Sequence, residues 1–195
     1  MYDFEQSIKV FEYVKKLKSF TQIPITVLVY VNLVYQRGIG KFYREAKEAG
    51  IDGVLVPDVP VEEATPYVAA AKKVEVDPIF LVTQTTTNKR LKKILQYAHG
   101  YLYLVSVLGV MGARERLRSE TLSLRVKSCT DLPIAVGFGI SKCAHVLALQ
   151  KAHVDGYIVG SALIRIIEEN IGNNKKLKVE LLKFVQGLTN HTFFL

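Results

Sequence analysis

The sequence predicts an α/β fold on a parallel sheet of about six strands, and three observations predict it. Short apolar runs rich in β-branched residues alternate along the chain with segments of helical spacing, the alternation that produces a parallel sheet. The first of these runs is apolar at nearly every position, as expected of a strand covered on both faces. Two successive runs late in the chain close on glycine, at Gly137 and Gly160, immediately before the next helix or loop. No linker, composition shift or low-complexity stretch divides the 195 residues, so a single domain spanning 1–195 is expected. That length, with 49% hydrophobic residues, suffices for one sizeable core.

The elements follow in order. Residues 3–19 carry Phe4, Ile8, Val10, Phe11, Val14 and Leu17 at helical spacing, with Asp3 and Gln6 placed as a capping box. Residues 25–31 read as the first strand, with Asn32 after it. A helix is expected over 38–50, turning Phe42, Ala46 and Ala49 inward and closed by Gly50. Residues 53–56 form the next strand, ended by Pro57, Asp58 and Pro60. A helix over 61–74 follows, with Glu62 and Glu63 at its dipole-favoured start. The pattern repeats with strands at 78–82 and 101–106, separated by a polar loop and a helix over 89–98. A glycine-bearing loop over 107–112 leads to a helix over 113–128. Last come the strand at 132–136, helix 142–152, strand 156–159, helix 161–169 and a terminal helix over 175–188.

Charge and cysteine content narrow the function classes. The net charge is +8, but the lysines and arginines are dispersed at exposed-face spacing, for example Lys15, Lys16 and Lys18, or Lys89, Arg90, Lys92 and Lys93. No basic ribbon interleaved with aromatics is present, so a nucleic-acid surface is not expected; solvated helix faces come first and anion steering second. Cys129 and Cys143 form no CxxC. His99, His145, His153 and His191 show no metal-ligand spacing, so no metal site is expected, and His145 and His153 are expected at the surface. No apolar run reaches membrane-spanning length, the start of the chain lacks a secretory pattern, and cysteines are few; a cytoplasmic protein is expected.

The two glycine turns carry the chemistry. Without Cβ, the backbone at Gly137 and Gly139 can approach a ligand closely, and successive outward N–H groups form an anion-binding concavity. Gly160 and Ser161 open a helix, whose N-terminal N–H groups and partial positive charge favour phosphate. Two ordinary strand-to-helix turns would show the same spacing. In a closed barrel of alternating strands and helices the last two such loops commonly hold phosphate, at the C-terminal ends of the strands.

A set of motifs then identifies a family. Leu28-Val29-Tyr30-Val31-Asn32-Leu33-Val34, the run Ala49 to Glu63 containing Pro57-Asp58-Val59-Pro60, Gly100 to Ser106, Gly109-Val110-Met111-Gly112, Val136-Gly137-Phe138-Gly139-Ile140-Ser141 and Val159-Gly160-Ser161-Ala162 occur in that order. Together they resemble the tryptophan synthase α subunit over essentially the whole chain. The resemblance implies the (β/α)8 TIM-barrel family, with these residues forming strands 3–8 of an incomplete barrel. It implies a carbon–carbon lyase of tryptophan biosynthesis that cleaves indole-3-glycerol phosphate to indole and glyceraldehyde 3-phosphate. The family's acid/base glutamate and its indole-binding aspartate belong to a segment ahead of the motifs matched here, so a chain of these residues is expected to be slow or inactive. Two other readings accompany it: a non-catalytic phosphate-binding modulator of the tryptophan synthase β subunit, and another sugar-phosphate barrel isomerase, which the joint presence of Asn32, Pro57 to Pro60 and Gly109 disfavours.

By resemblance, Gly112, Gly137, Phe138, Gly139, Gly160 and Ser161 hold the substrate phosphate. Leu28, Tyr30, Leu55, Leu81 and Tyr103 line the indole pocket, with plain barrel core as the bland alternative for the apolar ones. Tyr103 is an auxiliary catalytic or orienting residue; of Tyr101 and Tyr103 only one is expected to face inward. Asn32, Asp58 and Pro60 belong to the contact with the β subunit of an α2β2 complex. No cofactor is implied for this chain, since pyridoxal phosphate belongs to the β partner. Met111 stands where the family usually has a threonine that helps close a loop, and Gln84-Thr85-Thr86 replaces a proline-containing turn. Six strands with two open edges also predict an oligomeric or poorly soluble chain.

Overall fold

The computed structural model describes residues 4–105, 113–137 and 153–189. Along the chain run α1 (Phe4–Lys18), β1 (Thr26–Leu28), α2 (Val31–Arg37), α3 (Ile39–Glu48), β2 (Gly53–Leu55), α4 (Thr65–Lys73), β3 (Asp77–Val82), α5 (Asn88–Tyr97), β4 (Leu102–Val105), α6 (Ala113–Lys127), β5 (Ile134–Gly137), β6 (Gly156–Ile158), α7 (Ser161–Glu169) and α8 (Asn174–Thr189). Strand order follows chain order, and the registered pairs β1–β2, β2–β3 and β5–β6 are all parallel. The capping box at Asp3 and Gln6 and the helix expected over 142–152 lie outside the described residues and side chains. Contacts group the chain into two compact units, one of Met1–Leu81 and Thr87–Leu102, the other of Val82–Thr86 and Tyr103–Leu195.

The first unit is built on β1, β2 and β3. Its core gathers Val14, Val34, Phe42, Tyr43, Ala46, Ile51, Val54, Ala71 and Val76. Phe42, Ala46 and Ala49 are buried, as the helical spacing required, and each large apolar side chain so buried stabilises by about 1.5–3 kcal/mol. Phe42 packs on Phe11 of α1 with ring centroids 5.5 Å apart, and Arg37 lies over Phe11 at 5.1 Å. Burial, and secondarily its neighbour Tyr67, push the Tyr43 phenol well above its ordinary range.

Several boundaries differ from the expectations, each for a physical reason. The first strand ends at Leu28 rather than Val31, because the Val31 N–H is taken by the Asp58 carboxylate and the chain turns there into α2. Cover on both faces is not met in β1 either: Leu28 is 57% exposed. The helix over 38–50 is present as α3, and a further helix, α2, precedes it; the two are divided at Gly38, whose φ of 81° is left-handed. Glu62 and Glu63 do not open a helix. They precede α4, whose first residues are Thr65 and Pro66, in a turn where the Glu63 N–H donates to the Pro60 carbonyl. Glu62 pairs instead with Arg90 of α5 at 3.0 Å.

One device fixes where β1 and β2 begin. Asp52 accepts from the Ile25 N–H at 2.7 Å and pairs with Lys18, the last residue of α1, at 2.6 Å. Desolvation opposes ionisation of Asp52, but Lys18 and the Ile25 N–H outweigh it and hold the carboxyl below the usual carboxylate range.

In the second unit the same arrangement recurs at β5 and β6. Asp155 accepts from the Ile134 N–H at 2.7 Å and pairs with Lys127, the last residue of α6, at 2.6 Å. Partial burial again opposes the charge, and Lys127 with the Ile134 N–H again lowers the pKa. The turn leaving β3 is closed by its own hydroxyls: Thr83 N–H donates to Thr86 Oγ1 at 3.0 Å, and Thr83 Oγ1 lies 2.8 Å from Thr85 Oγ1. Arg125 of α6 donates to the Thr86 carbonyl at 2.8 Å. Thr85 and Thr86 therefore close this turn by side-chain bonding. Among the described residues no helix is long and apolar enough to cross a membrane.

Candidate functional site

In the second unit the candidate phosphate residues converge at the C-terminal ends of β5 and β6. Gly137 is the last residue of β5 and stands in register with Ile158 of β6. Two residues past Ile158, Gly160 is the N-cap of α7, and Ser161 is that helix's first residue. The Gly160 carbonyl accepts from the Leu163 and Ile164 N–H groups, at 2.9 and 3.1 Å. First-turn N–H groups have no partner within their own helix, so they point outward as donors. Among the described residues, a Cβ built on Gly160 meets nothing within 4 Å. Gly112, Phe138 and Gly139 lie outside the described residues.

Gly137 has a reason to be glycine that spacing did not reveal. A Cβ built there would lie 2.1 Å from Tyr103 Oη, 2.5 Å from its Cζ and 2.8 Å from its Cε1. No side chain fits beside that phenol, so Gly137 is required for close approach of Tyr103 in addition to any role toward a ligand. The pair joins two candidate residues, from β4 and β5, at one place.

Tyr101 behaves differently from the expectation that only one of the two tyrosines faces inward. Tyr101 lies just ahead of β4 and Tyr103 within it. Tyr101 hydrogen-bonds Thr26 of β1; its phenol is pushed up by burial, with the Thr26 bond opposing. Both tyrosines are thus engaged, Tyr101 near the strand beginnings of the first unit and Tyr103 at Gly137 in the second.

The first unit carries the remaining candidates. Leu28 and Leu55 are register partners, and Leu55 is in turn partnered with Ile79, two residues before Leu81. These four therefore share one sheet face. Leu55 is buried at 2%, whereas Leu28 and Tyr30 are 57% and 55% exposed. Asn32 and Pro60 are also exposed. Asp58 holds the start of α2: the Val31 N–H donates to its Oδ1 at 2.9 Å and its Oδ2 at 3.2 Å. A carboxylate beside a helix N-terminus is favoured by the helix dipole.

Of the histidines, His99 is 72% exposed, and its Nδ1 lies 2.6 Å from Oδ1 of Asp77, which begins β3 and so stands at the opposite end of that strand from its C-terminal exit. His153 is exposed with a left-handed φ of 51°. His145 and His191 lie outside the described residues.

The family model described as tryptophan synthase alpha chain matches residues 5–192. The tryptophan synthase alpha chain of Methanoregula boonei is 51% identical over 178 residues, covering 90% of this chain and 67% of its own length. That of Methanothermobacter thermautotrophicus is 47% identical over 169 residues, covering 86% and 63%. A chain of the tryptophan synthase α2β2 complex of Pyrococcus furiosus superposes with a TM-score of 0.82 at 37% identity, covering 92% of this chain and 72% of that one. The chain thus spans about two thirds of the length of these curated relatives. With six parallel strands in chain order, glycine-ended strands where the motifs put them, and a match over almost every residue, this chain belongs to the tryptophan synthase alpha chain family.

Proposed function

We propose that this chain serves the tryptophan synthase α reaction, the retro-aldol cleavage of indole-3-glycerol phosphate to indole and glyceraldehyde 3-phosphate, and supplies the part of the site that holds the substrate. The observation that carries this reading is the convergence of Gly137, Tyr103 and the Gly160–Ser161 helix start at adjacent strand ends. The N–H groups at Gly160 and Ser161 take the phosphate, with Gly112, Phe138 and Gly139 completing its site. Leu28, Tyr30, Leu55, Leu81 and Tyr103 take the indole. The chain works in the cytoplasm, needs no cofactor of its own, and docks through Asn32, Asp58 and Pro60 on a β subunit, the carrier of pyridoxal phosphate.

Cleaving the C–C bond requires a proton delivered to indole C3, a base for the glycerol hydroxyl and stabilisation of charge at the ring nitrogen. Asp58 is instead engaged at the start of α2, where both its oxygens accept from the Val31 N–H. Positioned acid and base groups contribute roughly 10²–10⁴-fold each, so cleavage needs such groups beside this binding site.

Two measurements test this. Calorimetry with glycerol 3-phosphate is expected to show binding that weakens at least tenfold in Gly160→Ala, a change that meets no described residue within 4 Å; unchanged affinity would remove the phosphate assignment. Indole release with and without β subunit separates the readings: turnover equal to a full-length relative refutes the need for further carboxylates, while stimulation of the β reaction without turnover selects the modulator.

A further inference from the structure

We propose that Asp58 is a positioning residue for the β-subunit contact, holding α2 so that Asn32 is presented in a fixed place. This rests on the docking role assigned above to Asn32 and deepens it.

The argument starts from what α2 lacks. Its N-cap is Tyr30, with extended φ −75° and ψ 148°, and no side chain of its own segment caps the helix. A phenol cannot fold back to accept from its own helix's first turn as serine or aspartate does. The helix has seven residues, one buried apolar anchor at Val34, and exposed side chains at Asn32 and Tyr35. Short helices are marginal without outside support. That support comes from 27 residues away, where both Asp58 oxygens accept the first helical N–H.

Asp58 can act as a fixed point because its own segment is stiff. Pro57 and Pro60 flank it with restricted φ. The Val59 N–H donates to the Val56 carbonyl and the Glu63 N–H to that of Pro60. Beneath this turn, the Val29 N–H donates to the Leu55 carbonyl at 3.0 Å, so the two strand exits are already in register. Asp58 thus transmits the place of the β2 exit to the residue next to Asn32. Its negative charge also reaches Tyr67, whose phenol is pushed up by partial burial first and then by Asp58, Glu63 and Tyr35, which places these groups in one neighbourhood of exposed aromatic and polar side chains.

The test uses the full chain and the β subunit of the same organism. Binding to immobilised β subunit, amide hydrogen exchange at Val31 and thermal unfolding are compared for wild type, Asp58→Ala, Asp58→Asn, Asn32→Ala and the double variant Asp58→Ala with Asn32→Ala. Asp58→Ala is expected to lose Val31 protection and about tenfold in β affinity, one cap-sized interaction, with little change in unfolding temperature. Asp58→Asn keeps a side-chain carbonyl acceptor and is expected to restore both. Asn32→Ala is expected to weaken β binding while leaving Val31 protected, and the double variant to bind no worse than the weaker single one. Wild-type affinity in Asp58→Ala, or additive losses in the double variant, overturns the positioning role. A wild-type chain that fails to bind β subunit instead overturns the docking reading and this proposal with it.

Discussion

Gly137→Ala is the perturbation whose cost the structure defines most sharply. The new methyl would sit 2.1 Å from Tyr103 Oη and 2.5 Å from Cζ. Ordinary contact begins at 3.4 Å, so the phenol must retreat by about 1.3 Å, the distance that brings the closest pair to normal packing. The ring is rigid and moves only by turning about its two side-chain torsions. Forcing extra volume into a packed site costs about 1–3 kcal/mol, and Gly137→Ala is expected to fall in that range by urea unfolding. Removing the hydroxyl alone should relieve little, because Cζ would still lie at 2.5 Å. Tyr103→Phe in the alanine background is therefore expected to remain destabilised, whereas Tyr103→Ala should abolish the penalty. A double-mutant cycle reads this directly: Gly137→Ala should cost less than about 0.5 kcal/mol once Tyr103 is alanine, within the additivity limit of independent sites. If Gly137→Ala is neutral in the wild type, or costs the same with and without Tyr103, the phenol is not what requires glycine here.

The remaining predictions concern the supports of the site. The pKa values of Asp52 and Asp155 are lowered in the folded chain, so their stabilisation is complete above the unfolded carboxylate value of about 3.9 and is lost as pH falls through their folded values; Asp52→Asn with Asp155→Asn should flatten the acid limb of a stability-against-pH curve measured by urea unfolding. Gly50→Ala should destabilise, because φ there is 86° and the new Cβ would meet Lys18 Cγ at 2.8 Å, pressing on the lysine that pairs with Asp52; thermal unfolding checks it, and rescue by glycine's nearest substitute in that conformation, asparagine, should be partial. Thr87→Ala removes the α5 N-cap that accepts from the Arg90 N–H at 3.3 Å and should cost about 0.5–2 kcal/mol by urea unfolding.

How much of this was legible in the sequence depends on the range of the interaction that decides each feature. The buried face of α3 was legible because Phe42, Ala46 and Ala49 obey helical spacing, and spacing is local. The start of α7 at Ser161 was legible because glycine marks it. Helix α2 was not legible, because its seven residues are too few to show a helical period. The early end of β1 was not legible at all: Val31 has high strand propensity, and what turns it into a helix is a carboxylate 27 residues later. The requirement for glycine at 137 was read from a ligand's need for close approach, and the fold adds a protein neighbour on another strand that no local pattern announces.

The two aspartate supports show where the fold tolerates change. In each, a lysine ending a helix stands seven residues before an isoleucine whose N–H the aspartate accepts, and the aspartate precedes a glycine that opens the next strand. Lys18, Ile25 and Asp52-Gly53 repeat as Lys127, Ile134 and Asp155-Gly156, down to the reverse bond from the aspartate N–H to the isoleucine carbonyl at 2.9 Å. What differs is the crossover between isoleucine and aspartate, 27 residues in the first case and 21 in the second. The longer crossover contains the helix α2. The support at the strand beginnings fixes the register of each pair whatever the crossover holds, so residues can be inserted past the strand ends without a slip that would turn every side chain to the wrong face. That freedom has a local cost, because an inserted short helix arrives without a cap of its own. Asp58 supplies it, from the exit of the very strand whose beginning Asp52 has fixed.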